Sequence, residues 1–297
     1  MTRRNRAEPT DIDRYNAAAR SSSATVIDAY STSFGLATRL LAPSVRSQVR
    51  TVYALVRIAD EIVDGAATGA GLDLAAQREQ LDDLERETER AIHGGYSTNL
   101  VVHAFATTAR QVGIDFRLTA PFFASMRRDL DPSPFTEVGV AEYIYGSAEV
   151  IGLMCLRCFM QESRSSTTEL ALLEDGACRL GAAFQKVNFL RDLACDRDTL
   201  GRNYFPGVDV AAMTDADKNR ILDDIDADLA AAENVLPMLP GGSRRAVTLA
   251  HRLFSRLSSR LRATPARQLL RARVRVPDAE KLVIAVAATL GSGTWKR

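Results

Sequence analysis

Two aspartates one helical turn apart are the first residues in this chain whose types and spacing suggest chemistry. Asp60 and Asp64 stand in the segment RIADEIVDG, just after Arg57, and the surrounding residues are apolar enough for a buried helix. Like charges at this spacing on an isolated helix repel by roughly 0.2–0.5 kcal/mol. Either the pair points into water, or a bound cation balances its charge.

A second set of oxygen-bearing side chains lies far along the chain, in the segment FQKVNFLRDLACD. Gln185, Asn188, Asp192 and Asp196 are three, four and four residues apart, which places them on one face of a helix. The residues between them are largely apolar, so this helix is expected to pack on more than one side. A carboxylate in such a setting needs a partner.

The two acidic helices together suggest a metal and phosphate site. If they face one another, four aspartates bring their negative charges into one cavity and repel strongly. Magnesium is usually held by one or two carboxylates together with waters and substrate phosphates. Carboxylates on both walls would then hold a diphosphate through bridging magnesium ions, and Arg57 and Arg191 would balance the remaining phosphate charge. Spacing alone leaves open the alternative that each set lies on a solvated helix face.

Helices must position these residues. Apolar residues recur at three- and four-residue spacing along nearly the whole chain, and neither alternating strands nor a GxxxxGK phosphate loop is found. The breaks between periodic segments are short and rich in Gly, Pro, Ser or Asn, and none resembles a long interdomain linker. The sequence therefore predicts an all-α protein with a single domain of about ten helices.

Composition excludes several classes of function. The chain has 297 residues, 46% of them hydrophobic, and its 38 basic residues nearly balance its 37 acidic ones, which gives no argument for binding nucleic acid. Residues 1–24 begin with a basic, polar stretch and are expected to form a disordered tail. The longest apolar runs fall short of the ~20 residues of a membrane-spanning helix. We therefore expect a cytoplasmic protein.

The four cysteines do not suggest a disulfide framework or a zinc site. Cys155 and Cys158 form a CxxC pair, but it lies in the apolar run GLMCLRCFM without a second pair or a nearby histidine. The pair is interpreted as two small core residues of a helix.

Four segments, in the same order, resemble the signatures of the squalene and phytoene synthase family. They are YSTSFGLATRLLAPSVRSQVRTVYALVRIADEIVDG at 30–65, YIYGSAEVIGLM at 143–154, the Q-x-x-N-x-x-R-D-x-x-x-D and G-R-x-Y-x-P pattern at 185–206, and RVRVPDAEKL at 273–282. The resemblance implies an isoprenoid synthase fold, in which a single helical bundle surrounds a central cavity, with residues 25–290 as the catalytic domain. It also implies a prenyltransferase that condenses two identical allylic diphosphates head to head.

The resemblance also assigns roles by matching position. The implied metal ligands are Asp60, Asp64, Asn188, Asp192 and Asp196. The implied substrate contacts are Ser31, Ser33, Phe34, Arg57, Gln185, Asn188, Arg191 and Arg273. The four aspartates would take part in catalysis through the metal, and Tyr143 would lie near the reacting carbons. The implied cofactor is magnesium, with manganese as a substitute.

Three residues depart from the family pattern. Cys195 stands where many relatives have glutamate, Phe254 where tyrosine is frequent, and Glu149 where glycine is usual. Glu149 either points into the cavity, where it would alter the product or the rate, or forms a salt bridge on the helix surface.

The amino-acid sequences of the second and third segments resemble bacterial phytoene synthases more closely than squalene synthases. It favours condensation of two geranylgeranyl diphosphates to phytoene through prephytoene diphosphate, a step of carotenoid biosynthesis that needs no NADPH. The alternative is a squalene or dehydrosqualene synthase acting on farnesyl diphosphate. Residues 179–184 and 151–159 are mostly small or apolar, and are expected to line a dry tunnel that protects a carbocation from water.

An arginine-rich segment offers a rival interpretation. Between Gly241 and Pro277 the chain has ten arginines and no acid. The segment is either a solvated helix face or a surface that docks peripherally on anionic lipid. A non-catalytic helical protein could use it in the same way to bind another protein.

Overall fold

Helices account for all regular secondary structure in residues 8–31, 33–195, 203–271 and 273–289, which are the residues described by the computed structural model. The α-helices, in chain order, are α1 Asp11–Tyr30, α2 Ser33–Thr38, α3 Pro43–Val63, α4 Ala66–Gly69, α5 Leu74–Gly94, α6 Leu100–Val112, α7 Phe116–Asp129, α8 Glu137–Ile144, α9 Val150–Met160, α10 Thr167–Cys195, α11 Asp215–Val235, α12 Gly241–Ala263, α13 Ala266–Leu269 and α14 Asp278–Thr289. A π-helical turn, Tyr145–Glu149, joins α8 to α9, and 3₁₀ turns lie at Val210–Ala212 and Leu236–Met238. The predicted all-α class is confirmed.

The N-terminal region is helical from residue 11. Thr10 and Asp13 form a capping box at the start of α1, in which each side chain accepts a hydrogen bond from the backbone of the other residue. The helix buries Ala19 and Ile27 and packs against α3 and α6. The prediction of a disordered tail through residue 24 is therefore wrong for residues 11–24, and residues 1–7 lie outside the described residues. The T-x-x-D pattern of Thr10 and Asp13 is a sequence signal for the start of a helix.

The first acidic motif is positioned by α3. This helix starts at Pro43, where proline lacks only a donor that would have no helical partner in any case. Its apolar residues recur at helical spacing, and Val49, Val52 and Leu55 lie in a core cluster with side chains from α5, α6 and α7. Burial of this stripe fixes the rotation of α3 and thereby the direction of Asp60 one turn later.

The π turn is fixed between α7 and α10 by glycines. A Cβ on Gly146 would lie 2.2 Å from the Pro121 carbonyl oxygen of α7, and one on Gly181 of α10 would lie 2.6 Å from the Ala148 carbonyl oxygen. Both positions therefore require glycine for close packing of backbone on backbone. Turns of this kind are frequent at functional sites because they shift side chains relative to a regular helix.

A cavity of about 260 Å³ lies inside the bundle. Its walls come from α2, α3, the π turn, α9, α10, α11 and α12, and the side chains that line it are almost all apolar, with Thr38 and Ser147 among the exceptions. Ile151 and Phe159 of α9 and Leu180 and Phe184 of α10 belong to the lining, so both segments that were expected to line a tunnel do so.

One continuous helical segment, Glu137–Met160, is long and apolar enough to cross a membrane by length and composition alone. Its apolar residues have another explanation. Part of the segment packs against α7 and α10, and another part, including Ile151, Cys155 and Phe159, faces the cavity. A helix of the protein core passes the same test, so this segment is weak support for a membrane span.

Candidate active site

On each of the two helices that carry an acidic motif, the motif lies C-terminal to the residues that line the cavity. On α3, Val56 lines the cavity and Asp60 is one helical turn later. On α10, Phe184 lines the cavity, Asn188 is one turn later and Asp192 is two turns later. Each helix therefore runs from an apolar wall into a polar, charged stretch near its C-terminal end.

Asp60 lies in an environment that disfavours its charge. Its side chain is 34% exposed, so water reaches the carboxylate although protein surrounds it on most sides. Burial raises the pKa of Asp60 to about 7; Arg57, whose Nη1 lies 3.7 Å from the carboxylate, opposes the rise, and the negative Asp64 adds to it. A carboxyl group held in this way gains most from a nearby cation.

Arg57 is held by groups on three sides. It forms ion pairs with Asp60 and Glu61, and its guanidinium lies 4.4 Å from the centre of the Tyr30 ring, in a cation–π contact. Glu61 also accepts a hydrogen bond of 3.0 Å from the Ala66 N–H at the start of α4. Sequence reasoning did not assign a role to Glu61 or Tyr30, although the four-residue spacing from Arg57 to Glu61 signals a helical ion pair.

Asp192 on α10 is bound by two arginines. Arg273 Nε lies 2.6 Å from Asp192 Oδ1 and its Nη2 donates to Oδ2 at 3.2 Å, while Arg191 Nη2 donates to Oδ2 at 2.6 Å. The structure thus brings together three predicted site residues, two of which, Asp192 and Arg273, are 81 positions apart. The Asp192 side chain is 22% exposed, so the group stays accessible from solvent.

Gln185 and Asn188 present polar groups beside the cavity. Gln185 Nε2 donates to Ser147 Oγ at 3.2 Å, which joins α10 to the π turn, and Ser147 in turn donates to the Tyr143 carbonyl oxygen at 2.7 Å. Asn188 Oδ1 is buried and has no hydrogen-bond partner in the described part of the chain. A buried acceptor without a donor is costly unless a ligand satisfies it.

These donors fit a hard divalent cation. The set consists of carboxylate oxygens and the partnerless amide oxygen of Asn188, which are the ligand types that magnesium prefers. No three His, Cys, Asp or Glu side chains of the described residues lie close enough to hold a metal ion together. Asp196, the remaining predicted ligand, lies outside the described residues.

Tyr143 lies in the interior of the bundle, at the end of α8. It is buried, its hydroxyl donates to the Asp129 carboxylate on α7, and its ring stacks near Phe189 and Tyr204. It does not belong to the cavity lining, whose nearest member along the chain is Ser147. The Tyr143 side chain packs into an aromatic cluster with Phe189 and Tyr204, and its place near the reacting carbons stays a prediction.

The first predicted substrate contacts lie at the junction of α1 and α2. Ser31 caps the C-terminus of α1 and its side chain is hydrogen-bonded to Tyr53 of α3. Ser33 begins α2. The side chains of Ser33 and Phe34 are outside the described part of the structure.

Asp64, the other predicted metal ligand of the first motif, is exposed at the C-terminus of α3.

Comparison with known families shows which family the chain belongs to. Residues 27–280 match the profile of the family described as squalene/phytoene synthase. The chain belongs to the squalene/phytoene synthase family.

Individual members of the family are similar to the chain over part of their length. It is 29% identical to the 15-cis-phytoene synthase of Paracoccus sp. (strain N81106 / MBIC 01143) over 179 residues, which covers 60% of the chain and 56% of that relative. It is 30% identical to the chloroplastic phytoene synthase 3 of Zea mays over 217 residues, which covers 71% of the chain and 49% of that relative. The chain thus spans about half the length of the curated relatives it matches.

Solved structures show the same fold. A crystal structure of a dehydrosqualene synthase in complex with ligand has a TM-score of 0.71 at 21% identity, and the match covers 95% of this chain and 99% of that one. The squalene synthase HpnC of Alicyclobacillus acidocaldarius also has a TM-score of 0.71, at 18% identity, covering 86% of this chain and 96% of that one. The predicted isoprenoid synthase fold around a central cavity is confirmed.

Two of the three departures from the family pattern have a place in the structure. Glu149 is half-buried outside the cavity lining, hydrogen-bonded to Cys178 on α10; burial raises the pKa of its carboxyl, and nearby Asp228 adds to the rise. It therefore does not point into the cavity of this family member. Phe254 stacks on Phe184 with 3.8 Å between ring centres and so supports a wall of the cavity. The Cys195 side chain lies outside the described residues.

Several arginines of the arginine-rich segment have acidic partners from other helices. Arg256 and Arg260 pair with Glu280 of α14, and Arg262 pairs with Asp223 and Asp226 of α11. The absence of acids within the segment therefore does not leave all of its arginines without counter-charges. Peripheral docking on lipid stays a prediction.

Proposed function

We propose that the chain is a prenyltransferase that condenses two geranylgeranyl diphosphate molecules head to head into phytoene. The observation that carries the proposal is the apolar cavity of about 260 Å³ whose walls continue, on both α3 and α10, into acidic and arginine-rich stretches. An isoprenoid diphosphate has the same division into a long apolar chain and a highly charged end.

The charged end of the site would bind the leaving group. Ionisation of an allylic diphosphate leaves the carbon chain positive and the departing pyrophosphate more negative. Arg57, Arg191 and Arg273 would contact its oxygens, since a guanidinium forms paired hydrogen bonds with phosphate. Magnesium, held by Asp60, Asp64, Asn188, Asp192 and Asp196, would supply further positive charge to the leaving group.

The apolar walls would protect the cation. A carbocation that meets water gives an alcohol, so the reaction needs a lining without nucleophilic oxygen. Ile151, Leu180 and Phe184 meet this need, and Phe254 keeps the Phe184 ring in place by stacking. Attack by the double bond of a second substrate, with loss of a proton as the cyclopropane ring closes, would give a cyclopropylcarbinyl diphosphate. Its ionisation, rearrangement and loss of a proton would give phytoene without a reductant.

The choice of geranylgeranyl diphosphate is supported by relatives named phytoene synthase, at 29% and 30% identity. A second candidate is squalene or dehydrosqualene synthesis from farnesyl diphosphate. It is favoured by the fold similarity to proteins titled dehydrosqualene synthase and squalene synthase, with TM-scores of 0.71.

Product analysis tests both candidates. The purified chain is incubated with geranylgeranyl or farnesyl diphosphate, with and without NADPH, first with magnesium and then with a chelator. We expect phytoene from geranylgeranyl diphosphate, independent of NADPH and abolished by the chelator. Asp192→Asn should lose this activity, whereas Asp175→Asn, which changes an exposed acid on the same helix, should keep it. Squalene or dehydrosqualene as the main product would favour the second candidate, and absence of any condensed product would reject both.

A further inference from the structure

The Asp192 carboxylate already accepts hydrogen bonds from two arginines, although it is expected to be a metal ligand. Arg273 approaches it with two nitrogens, at 2.6 Å and 3.2 Å, and Arg191 with two more, of which the nearer is at 2.6 Å. Both carboxylate oxygens are therefore engaged by guanidinium groups. One turn earlier on the same helix, Asn188 Oδ1 is buried and lacks a partner among the described residues.

A carboxylate held in this way is a poor ligand for a bare cation. The oxygen lone pairs that a divalent metal would take are already used, and two positive guanidinium groups repel an incoming cation. A diphosphate changes the balance. It has several charged oxygens in the geometry that guanidinium groups bind in pairs, so the arginines gain more from diphosphate than from a single carboxylate.

We infer that Arg191 and Arg273 make metal binding depend on diphosphate binding by competing with the metal for Asp192. The inference rests on the proposed function. When a diphosphate arrives, the arginines transfer their hydrogen bonds from Asp192 to its oxygens, and the released carboxylate takes the cation that the diphosphate also binds. Thermodynamic linkage makes the effect reciprocal, so metal and diphosphate each strengthen the binding of the other.

The chain offers a matched pair of variants for the test. Arg273→Ala removes a guanidinium from Asp192. Arg275→Ala removes an equal charge two residues away, from an exposed arginine. The first measurement is the affinity for Mn²⁺ alone, from the electron paramagnetic resonance signal of free Mn²⁺. Arg273→Ala is expected to bind Mn²⁺ roughly two- to fivefold more tightly than wild type, in line with the strength of a solvent-accessible ion pair. Arg275→Ala is expected to bind it as wild type does.

The second measurement is the affinity for inorganic pyrophosphate alone, by calorimetry. Arg273→Ala is expected to weaken pyrophosphate binding at least several-fold, because the arginine that would receive the phosphate oxygens is gone. The two effects have opposite signs. A variant that merely damages the site would weaken both ligands, and that result would overturn the inference. Arg273→Gln should reproduce both changes if the alanine variant folds poorly.

A double variant assigns the gain to Asp192. Asp192→Asn combined with Arg273→Ala should lose the tighter Mn²⁺ binding, whereas a retained gain would show that the arginine acts through another group and would overturn the inference. Failure of the proposed function is recognised separately. If the opposite shifts are observed but no isoprenoid product forms, the coupling stands and the reaction assigned to the site is wrong. If product forms and Mn²⁺ affinity is unchanged in Arg273→Ala, the coupling is wrong and the reaction stands.

Discussion

The Tyr143 hydroxyl lies 2.9 Å and 3.0 Å from the two carboxylate oxygens of Asp129. Both residues are buried, so this hydrogen bond joins α8 to α7 in the interior. The Tyr143 ring packs among Phe135, Phe189 and Tyr204, which connects the same pair to α10 and to the segment after the second acidic motif. Tyr143 thus links α8 to both α7 and α10.

Tyr143→Phe is expected to lower stability more than it lowers the rate of the chemical step. The variant removes a hydrogen bond to a buried carboxylate, which costs about 1–3 kcal/mol of unfolding free energy. Urea denaturation measures the loss, and the product assay measures kcat. Tyr145→Phe, at a tyrosine that is 38% exposed, is the control and should change neither. A Tyr143→Phe protein with wild-type stability and a kcat reduced more than about a hundredfold would contradict this expectation and support a role beside the reacting carbons.

In the first acidic motif, the ionised form of Asp60 is expected to lower the stability of the native protein. Its pKa is raised to about 7, from an ordinary value of 3.8, so the native protein holds a proton that the unfolded chain releases between about pH 4 and pH 7. Stability therefore falls as pH rises through this window and stays low above it. Asp60→Asn removes the penalty. It is expected to raise the unfolding free energy at pH 8 by about 1–2 kcal/mol, a value reduced for solvent screening at a partly exposed side chain.

Urea denaturation at pH 8 and pH 4, with a chelator present, measures the effect of Asp60→Asn. The gain should shrink at pH 4, where the native aspartate is neutral as asparagine is. Glu79→Gln changes an exposed acid on another helix, α5, and serves as the control. Equal gains at both pH values would contradict the assignment of the penalty to ionised Asp60.

The helices of the site were predictable because their signals are local. The spacing of Asp60 and Asp64, and of Gln185, Asn188 and Asp192, matches the turn of a helix, and each set lies on one. The contacts of Arg273 with Asp192 were not predictable from spacing, since they join residues 81 positions apart. The family resemblance placed both residues at the site without indicating that they bind each other.

The π turn explains why the direction of the Glu149 side chain could not be settled by sequence. Tyr145–Glu149 departs from α-helical geometry where Gly146 packs against the backbone of α7. A pattern based on 3.6 residues per turn does not give the directions of side chains beyond such a turn. Glu149 therefore faces Cys178 and the charged groups of α10 and α11.

His103 is expected to make the anchoring of α1 sensitive to acid. Its Nε2 lies 2.8 Å from Asn16 Oδ1 of α1, and its Nδ1 accepts a hydrogen bond of 3.3 Å from the Ser97 N–H. The ring is buried beside Tyr15 and Tyr96, and burial lowers its pKa. A proton on Nδ1 would break the bond from Ser97, so the native state favours the neutral ring.

Stability should therefore decline as pH falls below about 6.5, the ordinary pKa of histidine, because the unfolded chain takes up the proton more readily. His103→Gln should be less stable than wild type at pH 7, since it loses ring packing, but the gap should narrow at pH 5. Urea denaturation at the two pH values measures the change. A constant gap for His103→Gln would contradict the prediction.

Gly181→Ala tests the close packing of α10 on the π turn. A Cβ at this position would lie 2.6 Å from the Ala148 carbonyl oxygen and 3.0 Å from the Glu149 Cα, and both are backbone atoms. The π turn would have to move away, which is expected to cost about 1–3 kcal/mol of stability. The movement would also displace Ser147 from Gln185, so substrate binding should weaken in parallel.

Gly94→Ala is the matched control for this change. No atom lies within 4 Å of a Cβ at Gly94, which is the last residue of α5. Alanine there should be neutral or stabilising by up to about 1 kcal/mol, because it restricts the unfolded chain. If Gly181→Ala were as stable as Gly94→Ala and kept the wild-type KM, the contact between α10 and the π turn would not determine the geometry of the site.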